Sequence, residues 1–351
     1  KMQLNMIKNI ENNVEGGSRS DYALMMGAAT INYIVGYYGD QNSNKQFLKW
    51  NSLFVPELLS RMPTQISQDK LTSLVKDAAA TYGAALVGIT DIDRKWVYDR
   101  DFYKPFVFGD SKHPKETEEK FIIPNSVTKA IVMAVNMDKG KIAESPKVAG
   151  HTGSELGYSS TASLVVSLAE FIRVLGYNAI PSMNDTALSI PLAISAGLGQ
   201  LGRQGLLITP EYGSCVRLGK VLTDMPLNVD KPIDFGVTEF CTQCLLCAKA
   251  CPAGAISFGD RTFAGACESN NPGIKKWHVD PEKCLRFWQA NGAACANCIA
   301  ACPFTADFFG DQCAECEICI APECPLHLLS FERQKHVTHE TCKRTVLGHL
   351  V

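Results

Sequence analysis

Two cysteine motifs in the last third of the chain restrict its fold more than any other feature of the sequence. The first, at 241–251, reads C-x2-C-x2-C-x3-C and is followed by Pro252, and the second, at 295–302, reads C-x2-C-x3-C and is followed by Pro303. A proline turns the chain directly after each motif, which carries the last thiol away from the others. The spacing therefore predicts two metal centres that exchange one cysteine ligand.

This is the ligand pattern of a two-cluster bacterial ferredoxin, in which the fourth Cys of a motif ligates the other [4Fe–4S] cluster. For the first cluster the pattern predicts the ligands Cys241, Cys244, Cys247 and Cys302. For the second it predicts Cys251, Cys295 and Cys298, with Cys284 in the segment CLRFW as the fourth. Disulfides and zinc sites are the alternatives. Disulfide frameworks rarely repeat the C-x2-C spacing. A zinc site needs only four ligands and would not require a proline after each motif.

Composition indicates a protein larger than a ferredoxin. The chain has 351 residues, 46% of them hydrophobic, which is enough for about two domains with their own cores. A net charge of −2 without a long run of Lys or Arg argues against nucleic acid as a partner. No apolar run is long enough to span a bilayer. The chain starts at Lys1 without a signal peptide or twin-arginine motif, which fits a cytoplasmic protein or a processed mature form.

Periodicity divides the chain into four parts. Residues 1–64 form an N-terminal segment without recognisable chemistry, and 65–235 alternate helical and strand-like patterns, which predicts a layered α/β domain. Residues 236–305 are the predicted ferredoxin-like domain, and 306–351 are a Cys-rich tail. Within the second part, the strongest helix pattern runs from Tyr158 to Leu175.

A glycine-rich loop, GLGQLGRQG, separates a predicted helix from a predicted strand. Its glycines let a backbone approach a bulky or phosphate-bearing ligand closely, although an ordinary helix-to-strand loop explains them equally well. As candidate cofactor contacts we name Gly197, Gly199, Gly202, Arg203 and Gly205.

Several segments, in order and spacing, resemble the corrinoid-dependent reductive dehalogenases. The resemblance covers about residues 65 to 305 and rests on ELGYSS, PSMNDTAL, GLGQLGRQG, CVRLGK and the two cysteine motifs. It implies an α/β (α+β) fold in which a nitroreductase-like corrinoid-binding domain is fused to a two-cluster ferredoxin-like domain. It also implies a reaction, in which R–X with two electrons and a proton gives R–H and halide.

The resemblance assigns three catalytic residues. The catalytic tyrosine falls on Tyr158, a pocket asparagine on Asn184 and a cationic partner on Arg217. A phenol can protonate a carbanion, and a neighbouring guanidinium favours the phenolate that remains and can hold the departing halide. Trp96, Tyr98 and Trp288 are candidates for an apolar substrate pocket, with core packing as the competing interpretation.

The cofactors implied are cobalamin and two [4Fe–4S] clusters. None of the histidines lies in a D-x-H-x-x-G motif, so we expect a base-off corrinoid with no protein ligand below the cobalt. The partners expected are a small organohalide, an external low-potential electron donor and a small membrane-anchor protein, with a homodimer as a further expectation. The family implies export to the outer face of the cytoplasmic membrane, and a cytoplasmic location is the alternative.

Other interpretations stay open at this point. Cys313, Cys316, Cys319 and Cys324 in the tail are candidates for a third metal site or for a simple Cys-rich segment. Epoxyqueuosine reductase, a tRNA-modifying enzyme, resembles this architecture, but the acidic net charge, Tyr158 and Arg217 argue against it. A non-catalytic iron–sulfur electron carrier is the other alternative.

Overall fold

A computed structural model of the chain describes residues 1–31, 66–101 and 103–305. Its helices are α1 (Met2–Glu11), α2 (Arg19–Ile31), α3 (Gln68–Thr81), α4 (Lys139–Ala143), α5 (Val148–Val174), α6 (Ser189–Ser195), α7 (Val237–Gln243), α8 (Leu246–Lys249), α9 (Pro281–Asn291) and α10 (Asn297–Ala300). Its strands are β1 (Leu86–Asp91), β2 (Phe106–Gly109), β3 (Lys115–Glu116), β4 (Phe121–Pro124), β5 (Lys129–Asn136), β6 (Ala179–Ser182), β7 (Gln200–Leu201), β8 (Leu207–Ile208) and β9 (Val216–Thr223). Among these helices none is long and apolar enough to cross a membrane.

The central sheet has four strands in the order β1-β5-β9-β6, and every pairing in it is antiparallel. A smaller sheet has the order β2-β4-β3, and β7 pairs with β8. The predicted layered architecture of helices and strands is confirmed. The antiparallel central sheet makes it the α+β form of that architecture, because parallel βαβ units would have given a parallel sheet.

Both faces of the central sheet are covered. Ile131 and Met133 of β5 point into a core shared with α3 and α5, whereas Val132 points into a second core shared with α6. This alternation follows from the two-residue period of a strand. Gly219 of β9 allows α5 to approach closely, because a Cβ there would lie 2.6 Å from side-chain atoms of Thr161 and Val165.

The longest helix, α5, starts earlier than the sequence pattern predicts. The prediction placed its first residue at Tyr158, but the helix begins at Val148. The added segment contains Gly150, Gly153 and Gly157, which have poor helix propensity but are buried against neighbouring segments. Close packing therefore outweighs propensity in this part of the helix, and Tyr158 lies within the helix rather than at its start.

The N-terminal helices contact both halves of the molecule. The Asn9 side chain donates a hydrogen bond of 2.9 Å to the carbonyl of Asn291, at the end of α9. The Ser159 hydroxyl on α5 donates one of 2.6 Å to the carbonyl of Ala28 in α2. The tail cysteines that were candidates for a third metal site lie outside the described residues.

Candidate functional site

The three residues assigned to catalysis come together in space. Tyr158 lies on α5, Asn184 on the loop after β6, and Arg217 on β9. The Asn184 side-chain amide donates a hydrogen bond of 3.2 Å to the Tyr158 hydroxyl. The Arg217 guanidinium carbon lies 4.4 Å from the centroid of the Tyr158 ring. One phenol thus has a neutral donor at its oxygen and a cation over its ring.

Gly157 leaves space for the side chains of Arg217 and Met137. A Cβ at Gly157 would lie 2.9 Å from Cγ of both Arg217 and Met137, so only glycine allows both side chains to pass this turn of α5. Arg217 Nε is buried and has no hydrogen-bond partner among the described residues. An unsatisfied buried donor is costly, which is consistent with a site built to receive an acceptor.

A buried lysine that the sequence analysis missed holds the Asn184 loop. Lys220 is fully buried, and its ammonium group donates hydrogen bonds to the carbonyl of Met183 and, at 3.0 Å, to the Ser189 hydroxyl. Burial lowers the pKa of Lys220 to about 8, and the negative charge of Asp185 partly opposes this shift. The available signal was the strand pattern itself, which places this lysine on a core-facing position of β9.

Asp185 fixes the same loop from the other side. Its carboxylate accepts a hydrogen bond of 2.6 Å from the Met183 backbone amide and one of 3.1 Å from the Ser182 hydroxyl. The two chain neighbours of Asn184, Met183 and Asp185, are therefore both held by hydrogen bonds. This rigidity is what a positioning group needs if it is to contact the phenol consistently.

Two of the candidate pocket aromatics lie beside this loop. The Tyr98 backbone amide donates a hydrogen bond of 2.9 Å to the carbonyl of Thr186, and the Leu188 amide donates one of 2.8 Å to Trp96. Burial raises the pKa of Tyr98, and the charge of Asp185 raises it further, which places the phenol near the Asn184 loop. Trp288 lies instead on α9, in the ferredoxin-like part of the chain.

The glycine-rich loop lies at the contact with the cysteine motifs. Gly197 and Gly205 have left-handed backbones, with φ of 76° and 74°. A Cβ at Gly199 would overlap the carbonyl oxygen of Ile208, and one at Gly202 would lie 2.6 Å from the Gln204 side chain. Packing within the protein thus gives a reason for these glycines, and their contact with a cofactor stays a prediction.

Arg203 has a structural role, which corrects its assignment to cofactor binding. Its side chain is buried and lies over the Trp277 ring at 4.6 Å. All five guanidinium N–H donors are used by backbone carbonyls, namely those of Cys241, Thr242, Ser257 and Gly259. No donor remains for a cofactor, so Arg203 holds the first cysteine loop instead.

The cysteines of the two motifs form two groups of thiols. The ten cysteines among the described residues are all free, so none is in a disulfide. Burial raises the pKa of Cys241 to about 12, and the nearby charges of Cys302 and Cys244 raise it further. The pKa of Cys247 is raised by burial and then, in decreasing order, by Cys241, Cys302, Cys244 and Cys298, so its three strongest thiol neighbours are those of the first group and Cys298 of the second group is also near.

The second group is defined in the same way. Burial raises the pKa of Cys284 to about 11, and the neighbouring thiols of Cys251 and Cys295 raise it further. Burial raises the pKa of Cys298 to about 12, and Cys295, Cys284 and Cys251 add to it. The structure thus groups Cys302 with the first motif and Cys251 with the second, as the exchange of one ligand between motifs requires.

The surroundings of these thiols fit a metal cluster. Buried thiols with raised pKa values stay protonated unless a cation is bound, and metal binding supplies the positive charge that stabilises thiolates. Within the described ranges no three Cys, His, Asp or Glu side chains converge on a single-ion site. The ligands expected of a two-cluster protein are nevertheless four cysteines per cluster, and each thiol group contains four.

An apolar contact links the second group to the catalytic side chains. Cys298 packs against a small core that contains Met137, Ile142, Cys215, Ala296 and Ile299. Met137 is the residue that shares the space beside Gly157 with Arg217. The cysteine group of the second motif is therefore adjacent to the Tyr158 site.

Comparisons with known proteins agree with this arrangement. A family profile described as a 4Fe-4S dicluster domain matches residues 240–306. The tetrachloroethene reductive dehalogenase of Sulfurospirillum multivorans is 40% identical over 292 residues, which are 76% of this chain and 58% of that protein. Its counterpart from Desulfitobacterium hafniense is 39% identical over 268 residues, covering 67% of this chain and 48% of that protein.

The remaining comparisons concern the fold and the rival function. A solved reductive dehalogenase, described as B12-dependent, superposes with a TM-score of 0.63 at 24% identity, covering 88% of this chain and 40% of that one. The epoxyqueuosine reductase of Lactococcus garvieae is 32% identical over 140 residues, only 39% of this chain. The chain spans about half the length of the dehalogenases it matches.

Proposed function

We propose a function for this chain, which belongs to the reductive dehalogenase family. The proposed reaction replaces a halogen by hydrogen, so that R–X, two electrons and a proton give R–H and a halide ion. The observation that carries the proposal is the convergence of Tyr158, Asn184 and Arg217 next to a cysteine group of the dicluster domain. Proton donor and electron source are thus adjacent in one chain.

The proposed role of Tyr158 is to supply the proton. Its hydroxyl O–H bond breaks as a C–H bond forms at the carbon that loses the halide. The oxygen that remains accepts the hydrogen bond from Asn184, and the Arg217 guanidinium lies over the same ring. Water then returns a proton to the phenolate.

Arg217 has a second proposed role in receiving the halide. A guanidinium has donors in a fixed plane, and Nε of this one has no partner among the described residues. The leaving halide gains negative charge as the carbon–halogen bond breaks. The Arg217 guanidinium already lies over the Tyr158 ring, so its charge would stabilise a halide that leaves beside the phenol.

The proposed cofactors are a base-off cobalamin and two [4Fe–4S] clusters. The corrinoid, when bound, would supply the chemistry that breaks the carbon–halogen bond, and the solved relative is described as carrying out B12-dependent dehalogenation. The cysteine groups would hold the clusters, with Cys241, Cys244, Cys247 and Cys302 on one and Cys251, Cys284, Cys295 and Cys298 on the other. An external low-potential donor would reduce them.

The proposed substrates are small organohalides, and the related enzymes suggest chlorinated ethenes as the first to test. A nitroreductase-like ancestry of the α+β domain, a homodimer, a membrane-anchor partner and an exported location stay expectations from family resemblance.

A substrate panel tests this proposal. The full chain, loaded anaerobically with cobalamin, iron and sulfide, is given reduced viologen and either chlorinated ethenes, halogenated phenols or an epoxyqueuosine-containing tRNA stem-loop. We expect viologen oxidation with an organohalide only. Turnover of the tRNA alone would instead favour the epoxyqueuosine reductase alternative, and turnover of neither would favour an electron carrier.

A further inference from the structure

Ser145, on the loop between α4 and α5, contacts a cysteine of the second group. We propose that its hydroxyl donates a hydrogen bond to the Cys295 thiolate and thereby raises the reduction potential of the cluster that Cys295 ligates. The inference rests on the electron-transfer part of the proposed function and is independent of the dehalogenation step. It makes Ser145 a positioning residue supplied by the catalytic domain.

The hydrogen-bond partners of Ser145 determine where its proton points. The Ala296 backbone amide donates a hydrogen bond of 2.7 Å to Ser145 Oγ, so this oxygen already acts as an acceptor. A hydroxyl has a single hydrogen to donate. Ser145 Oγ lies 3.8 Å from Cys295 Sγ, within hydrogen-bonding distance for sulfur. The amide contact therefore leaves the hydroxyl hydrogen for the thiolate.

Neighbouring segments hold the Ser145 loop on several sides. A Cβ at Gly150 would lie 2.8 Å from Ser145 Cα, so the first turn of α5 packs directly on this residue. The Asn291 side chain donates a hydrogen bond of 2.9 Å to the carbonyl of Pro146. Lys147 forms an ion pair of 2.7 Å with Glu15 of the N-terminal segment. The hydroxyl is thus fixed in place before a cluster binds.

The contact matters because of the charge that reduction adds. A reduced cluster and its thiolates are more negative, so a donor at the sulfur stabilises the reduced form more than the oxidised form and raises the potential. Cys298 of the same group packs against the small core that contains Met137, and Met137 lies beside Gly157 and Arg217. Ser145 therefore acts on the cluster adjacent to catalysis.

A redox titration tests the inference without substrate. The Ser145→Ala variant and the wild-type full chain are loaded anaerobically with iron and sulfide and titrated with dithionite, and the reduced clusters are followed by electron paramagnetic resonance. We expect the equilibrium constant for reduction of one cluster to fall about tenfold, which is about 59 mV for a one-electron couple. The other cluster should keep its potential.

Ser257→Ala is the matched control, because the Ser257 hydroxyl lies in the ferredoxin-like domain but accepts from the Gly259 amide rather than contacting a thiol. Its potentials should equal those of the wild type. If Ser145→Ala loses a cluster, the Ser145→Cys variant is titrated in its place. Its side chain has a similar size and a weaker donor, so the reduction potential should fall by less than is expected for Ser145→Ala. Unchanged potentials in whichever variant retains both clusters would overturn the inference, whether or not the enzyme dehalogenates.

Discussion

At the scale of single residues, the account depends on the surroundings of one phenol. Asn184 donates to its oxygen and Arg217 lies over its ring, while Lys220 and Asp185 hold the loop from which Asn184 projects. These contacts distinguish Tyr158 from an ordinary helical tyrosine. Tyr158 is the proposed proton donor, whereas Lys220 and Asp185 only position the loop that carries Asn184. Substitutions at Tyr158 and at Lys220 should therefore have different effects.

The Tyr158→Phe substitution should remove most turnover and leave the cofactors bound, because only one oxygen is lost. General-acid contributions of this kind are about 10² to 10⁴ in rate, so we expect a loss in that range. The measurement is steady-state halide release, with cobalt and iron contents determined on the same sample. Tyr177→Phe, which alters a tyrosine packed against the main core, is the control. A Tyr158→Phe enzyme with near wild-type turnover would show that the proton comes from elsewhere.

Lys220 should make the free energy of unfolding depend on pH. Its folded pKa of about 8 lies below the ordinary lysine value, so the unfolded chain binds more protons between about pH 8 and 10.5. The free energy of unfolding should therefore rise with pH through this window, relative to Lys220→Met, and the difference should be flat below it. Denaturant unfolding at a series of pH values measures this.

The Lys275→Met variant, which removes an exposed lysine, is the control for that series, and it should not reproduce the pH-dependent difference expected for Lys220→Met. A Lys220→Met chain whose stability runs parallel to that of the wild type from pH 8 to 10 would contradict the burial of an ammonium group at this position.

At the scale of elements, local patterns predicted strands and ligand spacing well but helix limits and glycine roles less well. The alternation of helical and strand-like patterns over 65–235 is a local signal, and the helices and strands of that range agree with it. The spacing of the cysteine motifs is local too. The start of α5 and the role of Arg203 depend on residues far away in sequence, such as Ser145 against Gly150 and Cys241 against Arg203. No local pattern contains those contacts.

The catalytic assignments illustrate the same limit. Tyr158, Asn184 and Arg217 are not distinctive as isolated residues, and only family resemblance selected them. Lys220 was missed because a lysine in a strand pattern suggests an exposed position, whereas its ammonium group is satisfied by the Asn184 loop. A buried polar contact of this kind forms only when β6, its following loop and β9 come together.

Because the two motifs exchange one ligand, cysteine variants of the same cluster should have similar spectra even when the cysteines belong to different motifs. Cys251→Ala should give the same residual electron paramagnetic resonance spectrum as Cys284→Ala, because both perturb the second cluster. Cys247→Ala, in the same motif, should instead match Cys302→Ala. If Cys251→Ala matched Cys247→Ala, the two motifs would each bind their own cluster and the assignment would be wrong.

At the scale of the whole molecule, the α+β part and the cysteine-motif part share a small core, to which Met137, Cys215, Ile142 and Ile299 belong. The N-terminal helices bridge the same two parts through Asn9 and Ala28. Such continuity keeps the cysteine groups at fixed positions relative to Tyr158. The proposed electron and proton donors would then belong to one folded unit.

Iron content tests how many clusters this unit holds. Two cubane sites with four cysteines each predict about eight irons and eight sulfides per chain. The tail motif at 313–324 lies outside the described residues, and a value near twelve would assign a third cluster to it. Quantitative iron and sulfide analysis of anaerobically prepared protein, normalised by amino-acid analysis, gives the number.

The most direct test of the central claim is the stoichiometry of the reaction. The full chain with cobalamin and both clusters is given tetrachloroethene and a known amount of reduced viologen in anaerobic buffer, and chloride and oxidised viologen are measured together. The account predicts one chloride for every two electrons consumed, and no chloride from a chain prepared without cobalamin. Electron consumption without chloride release from any organohalide, at full cofactor content, would contradict it.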